Sequence, residues 1–168
     1  MVLELAVLTV LPGAVAFAAA MDIFTMRIPN RVSLVLVAAF LPMALLAGLG
    51  LADVAAHVAA GILLLVVGFG LFVGGWFGGG DAKLMAAVAL WIGLDAVLLY
   101  LVYVAVAGGF TAMLFWSVRS VPLPRALLGE QWALRLHRQD GGIPYGIALA
   151  AGALLAFPHT IWFERLAG

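Results

Sequence analysis

The stretch "GGGDAKL" (residues 78–84) decides how the rest of this chain is read. It stands between "GILLLVVGFGLFVGGWF" (61–77) and "MAAVALWIGL" (85–94), so an aspartate and a lysine are set among residues suited to the interior of a membrane. An ionisable side chain at that depth costs about 3 kcal/mol or more, and where one is tolerated it faces a bundle interior or a polar cavity. Asp81 therefore needs a reason to be there.

The composition fixes the solvent. The chain is 67% hydrophobic and 10% charged, with a mean hydropathy of +1.24, far from the roughly half-apolar, quarter-charged balance of a soluble domain. This is an integral membrane protein, with the lipid bilayer as its first partner. A formal net charge of zero lacks the basic surplus of a nucleic-acid binder, so no nucleic-acid partner is expected. The absence of cysteine excludes disulfides, thiolate zinc sites and cysteine nucleophiles. The opening "MVLELAVLTVLPGAVAFAAAM" carries Glu4 and no Lys or Arg; without the basic flank of a signal peptide it reads as a retained first span.

Crossing the hydrocarbon takes about 20 apolar residues per helix. The apolar runs predict an all-α membrane protein, a single polytopic domain over residues 1–168, with spans at about 3–21, 33–52, 55–77, 82–94, 96–118 and 143–163. The fourth is short, reaching only about 20 Å at ~1.5 Å per residue. Six spans with both termini outside place Arg27, Arg31, Lys83, Arg119, Arg125, Arg135 and Arg138 on the cytoplasmic side and Arg165 alone on the other, the asymmetry of the positive-inside rule.

That topology gives Asp81 a partner. Asp22 ends the first span and Asp81 begins the fourth, so both carboxylates reach the same cytoplasmic-facing surface. Two carboxylates in a partly dry site share one proton more readily than both ionise. Such a dyad activates water: one member takes its proton while the other, protonated, polarises a peptide carbonyl, with no metal or cofactor. Gly78, Gly79 and Gly80 let the backbone approach a neighbouring span or an extended substrate, and Gly70, Gly74 and Gly78 repeat at the spacing of a close helix contact. By itself "GGGD" is equally what a helix cap after a flexible turn looks like.

Two motifs together, "DIFTMRIPN" (22–30) and "GGGDAKL" (78–84), resemble the type IV prepilin peptidase family of GxGD aspartic membrane proteases. "GIPYGIALAAGAL" (142–154), the short fourth segment and the six spans are similar to its short, Flp/Tad-type members. The resemblance implies a bacterial inner-membrane endopeptidase that removes a short basic leader from pilin-like precursors at the cytoplasmic face. Its catalytic pair maps onto Asp22 and Asp81. Long members of the family carry a cysteine-bearing zinc region and also methylate the new pilin amino terminus. Here residues 23–32 leave no room for that region and there is no cysteine, so methyl transfer is not expected.

Other residues are weighed beside these. Pro29 and Asn30 shape the turn that aims Asp22, with Asn30 capping the next helix. Arg27 and Arg31 anchor a helix end at the headgroups or orient substrate. Lys83 either tunes the dyad or snorkels to the interface, and Tyr145 is either a hydrogen-bond donor near the site or an interfacial tyrosine. Asp53 and Asp95 precede apolar runs and read as helix caps. His57, His137 and His159 have no metal-ligand spacing. The polar segment 119–140 carries a weak stripe of Leu128, Trp132 and Leu136, either gating substrate access or supplying cytoplasmic positive charge. The alternatives to a protease are a catalytically silent assembly subunit of a pilus or secretion system and a proton-coupled carrier, the latter disfavoured because the chain has no internal repeat.

Overall fold

The computed structural model describes residues 2–167, with side chains described for residues 7–165. Met1, Gly168 and the Glu4 side chain of the expected first span lie outside the described residues. All regular structure among the described residues is helical: α1 (Val2–Thr25), α2 (Asn30–Leu46), α3 (Leu51–Val73), α4 (Gly79–Arg119), α5 (Gln131–His137), α6 (Gly146–Ala156) and α7 (Ile161–Ala167), with 3-10 turns at Arg125–Leu127 and Phe157–His159. Three stretches are long and apolar enough to cross a membrane, Val7–Thr25, Leu51–Val73 and Gly79–Arg119; Asn30–Leu46 and Gly146–His159 are shorter apolar helices.

Helical periodicity decides what faces inward. On α1 the buried positions are Val7, Leu11, Val15 and Ala18, and the next residue in that series is Asp22, 6% exposed. Steps of three and four residues keep all five on one stripe, so the helix that buries its leucine and valines also carries the aspartate into the bundle. The other faces of the outer helices keep large apolar side chains such as Leu34, Val66 and Phe69 exposed, as a lipid-facing surface requires.

The α4 segment from Leu84 to Gly93 is buried on every side, which suits a helix that is hydrophobic all round. At Gly93 the backbone takes φ 79 and ψ 169, a region open essentially to glycine alone. The chain turns back there. The first half of α4 lies against α3, through Gly68 on Ala82 and Gly61 on Leu90, whereas the second half lies against α6, through Val104 on Gly152 and Gly108 on Tyr145. The break frees carbonyls that no water in hydrocarbon can satisfy. Side chains supply the donors: His57 Nδ1–H donates to Leu90 O at 2.9 Å and Trp162 Nε1–H to Trp91 O at 2.6 Å. Phe40, His57, Trp91 and Trp162 pack ring to ring around this turn.

Several expected boundaries are corrected. The second and third apolar runs stop short of 52 and 77 because Gly48 (φ 71) and Gly75 (φ 76) close α2 and α3 with left-handed C-terminal turns, in which Leu49 N–H reaches Ala44 O and Trp76 N–H reaches Leu71 O. Hydropathy runs straight through such turns and cannot see them. The expected last span, 143–163, is interrupted at Phe157–Thr160 and resumes as α7. The Gly70, Gly74, Gly78 repeat is not the close contact of α3. Gly70 has open space where a Cβ would be, and Gly61 and Gly68 are the positions pressed against α4.

Candidate active site

Asp22 lies one turn before the end of α1. The chain leaves that helix through Met26, which takes a left-handed conformation (φ 54) uncommon for a residue with a side chain, while Thr25 Oγ1–H bonds back to Met21 O at 2.6 Å. Pro29 precedes α2 in an extended conformation, consistent with its fixed φ and lost donor. Asn30 does not cap α2 with its side chain, as the sequence led one to expect; its Oδ1 accepts instead from Lys83 Nζ at 3.0 Å. Lys83 is thus tied across to the 26–30 turn, not aimed at Asp81.

Asp81 sits in the first turn of α4. Its Oδ2 occupies the space a Cβ on Gly78 would need, 2.5 Å away, and Gly80 is pressed on Ile28, with Ile28 Cβ 3.2 Å from where its own Cβ would be. The glycines therefore let two loops and a carboxylate meet at van der Waals range. Oδ1 of Asp81 is buried with no hydrogen-bond partner.

These parts enclose one cavity of about 280 Å³, lined by Asp22, Met26, Arg27, Ile28, Gly78, Gly79, Gly80 and Asp81. Two residues that are 59 positions apart in sequence thereby share a wall. Arg27 is at its exposed rim; Arg31 lies elsewhere, on a groove between α1 and α2.

One contact to Asp22 was not legible from the motifs. The first N–H of α6, on Gly146, donates to Asp22 Oδ2 at 2.7 Å, so a helix amino terminus with its free donors is placed on this carboxylate. A Cβ at Gly146 would lie 2.9 Å from Asp22 Oδ2 and 3.1 Å from Ile28 Cδ1. The only prior signal was the glycine of "IPYG". Tyr145 itself packs edge-on against Phe77 with centroids 5.2 Å apart, its hydroxyl over Gly108.

The loop after α4 is held to the same end of the molecule. Arg119 donates from Nε, Nη1 and Nη2 to the carbonyls of Leu136, Gly141 and Gly142 at 2.7, 2.9 and 2.7 Å, and Arg135 donates to Phe24 O at 2.9 Å. On α5, Trp132 meets Phe24 edge-on and Ala133 and Leu136 are buried. Leu128, expected on that stripe, lies outside α5 and is exposed, because the 3-10 turn ends before the helix begins.

The remaining candidates are structural in their contacts. Asp53 Oδ2 accepts from Gly50 N–H at 3.1 Å at the start of α3, as a helix-start carboxylate does. Asp95 is exposed just past the Gly93 turn. Among the described residues no group of three or more His, Asp or Glu side chains is placed to hold a metal ion.

The fold and this site define a polytopic α-helical membrane protein with two acidic side chains on one small cavity. The profile of the type IV leader peptidase family matches residues 9–113, a stretch that contains both Asp22 and Asp81, and the chain belongs to that family. Membership makes it a protease-like hydrolase of the membrane. No curated protein and no solved structure matches the chain.

Proposed function

We propose that this chain is an aspartic endopeptidase of the bacterial inner membrane that cleaves the short basic leader from Flp-like prepilins or other pilin-like precursors. The observation that carries the reading is the shared cavity of Asp22 and Asp81, roofed by Gly78–80, within the stretch that matches the family. In the proposed reaction one carboxylate removes a proton from water, and the resulting hydroxyl attacks the peptide carbonyl. The other carboxylate, protonated, donates to the carbonyl oxygen and the amine leaves with a proton from the dyad. The N–H of Gly146 on Asp22 holds that carboxylate in place on the cavity wall.

Six crossings, with the site on the cytoplasmic face and both termini outside, complete the proposal. The reversal at Gly93 supports it, since the two halves of α4 pack against different helices, and the basic residues Arg27, Lys83, Arg119 and Arg135 all belong to the end that holds the dyad. The domain is then one peptidase unit over the whole chain. Coexpression with a single-span pilin-like precursor should convert it to a form shortened by its leader, and an unchanged precursor with every candidate substrate refutes the activity. A cysteine at position 130 should resist an impermeant thiol reagent in intact cells; ready labelling inverts the topology.

A further inference from the structure

Between α2, α3 and the first half of α4 runs a second groove, of about 470 Å³, that the dyad does not use. Its walls are apolar, with Leu34, Val37, Val58, Ile62 and Leu65 facing Ala86, Ala87 and Leu90. One end is different in chemistry: Asn30, Ser33 and Lys83 gather there. Lys83 is exposed and its only described bond is to the neutral Asn30 Oδ1, so its charge has no carboxylate partner among the described residues. Ser33 is only 8% exposed and its hydroxyl is buried without a hydrogen-bond partner. An ammonium without a carboxylate partner at the mouth of a lipid-facing groove is satisfied by an anionic acceptor.

We propose that this groove is a binding site for one anionic phospholipid, its phosphate held by Lys83 and one acyl chain laid along Val37, Ile62 and Leu90. Charge selects the headgroup: Lys83 is the only charged residue in the lining, and basic residues at the headgroup level attract anionic lipid. The apolar walls that run on from Lys83 suit the acyl chain of the same lipid. The site is independent of the peptidase reading, since none of these three polar side chains lines the dyad cavity.

The test is lipid retention by the full chain in native mass spectrometry, with phosphatidylglycerol and phosphatidylcholine of identical acyl chains as probes. Wild type should retain one phosphatidylglycerol with about fivefold preference. Lys83→Gln should lose the preference, Lys83→Arg should keep it, and Ile62→Trp, a change at an exposed lip that leaves the core alone, should reduce retention of both lipids. Equal retention of the two lipids by wild type, or an undiminished preference in Lys83→Gln, overturns the site. So does an Ile62→Trp variant that keeps its lipid but shows a raised KM for precursor cleavage, which would make the groove the seat of the substrate's span. Loss of peptidase activity alone leaves this readout unmoved, so the two proposals fail separately.

Discussion

The two ends of the helix bundle carry aspartates in similar number but treat them differently. At one end Asp22 is 6% exposed and Asp81 has a buried oxygen with no partner, and the pair lines a cavity of about 280 Å³. At the other, Asp53 and Asp95 lie on a cavity of about 120 Å³ with His57, His159 and Glu164, yet Asp53 is bonded to Gly50 N–H, lies 3.8 Å from Arg165 and has a side chain that is 38% exposed, and Asp95 is exposed. Burial without a neutralising cation is costly, so it persists where something other than stability requires it. A carboxylate at a wet helix start needs no such explanation.

The largest expected effect would break the comparison outright. Asp22→Asn and Asp81→Asn should each lower precursor cleavage by about 10³-fold or more, with insertion and thermal stability near wild type; a turnover close to normal in either variant removes the dyad. A Cβ placed at each end sharpens the contrast further. Gly146→Ala should push Asp22 from its position and reduce the cleavage rate by about 10²-fold with a modest change in melting temperature. Gly93→Ala, which meets the His57 ring at 2.9 Å and requires φ 79, should instead destabilise the fold by ~1–3 kcal/mol, read as a lower melting temperature. If both variants lose stability alike, or both lose only activity, the two ends are not distinct in the way described. The smallest effect is expected for Asp53→Asn and Asp95→Asn, whose cleavage should stay within about twofold of wild type, as for surface changes away from special features. A large loss in either would move chemistry to the opposite end.

His57 shows why part of this was out of reach of the sequence. Without a ligand-spaced neighbour it reads as inert; its work is to donate to the carbonyl left free where the chain breaks at Gly93. Nothing in "LADVAAH" announces that need, which arises only because a glycine 36 positions later takes a conformation that ends one helix and reverses the next. Lys83 teaches the same lesson in reverse. Its nearness to Asp81 in sequence invites a role in the dyad, but two steps along a helix turn a side chain about 200°, and it bonds Asn30 instead.

The sequence by itself determined the solvent, the helical class and the two aspartates worth pairing, because hydropathy, helical periodicity and the rarity of charge in hydrocarbon are local properties written residue by residue. An aspartate closing the first apolar run is legible in that way; that it continues the buried stripe of Val7, Leu11, Val15 and Ala18 is seen only once the helices pack. Only the tertiary structure decided where helices stop and which distant backbone group meets which side chain. Left-handed glycine turns at 48 and 75, the reversal at Gly93 and the N–H of Gly146 on Asp22, 124 residues away in the chain, depend on φ angles and on contacts between segments far apart in sequence, and an apolar run carries no record of either.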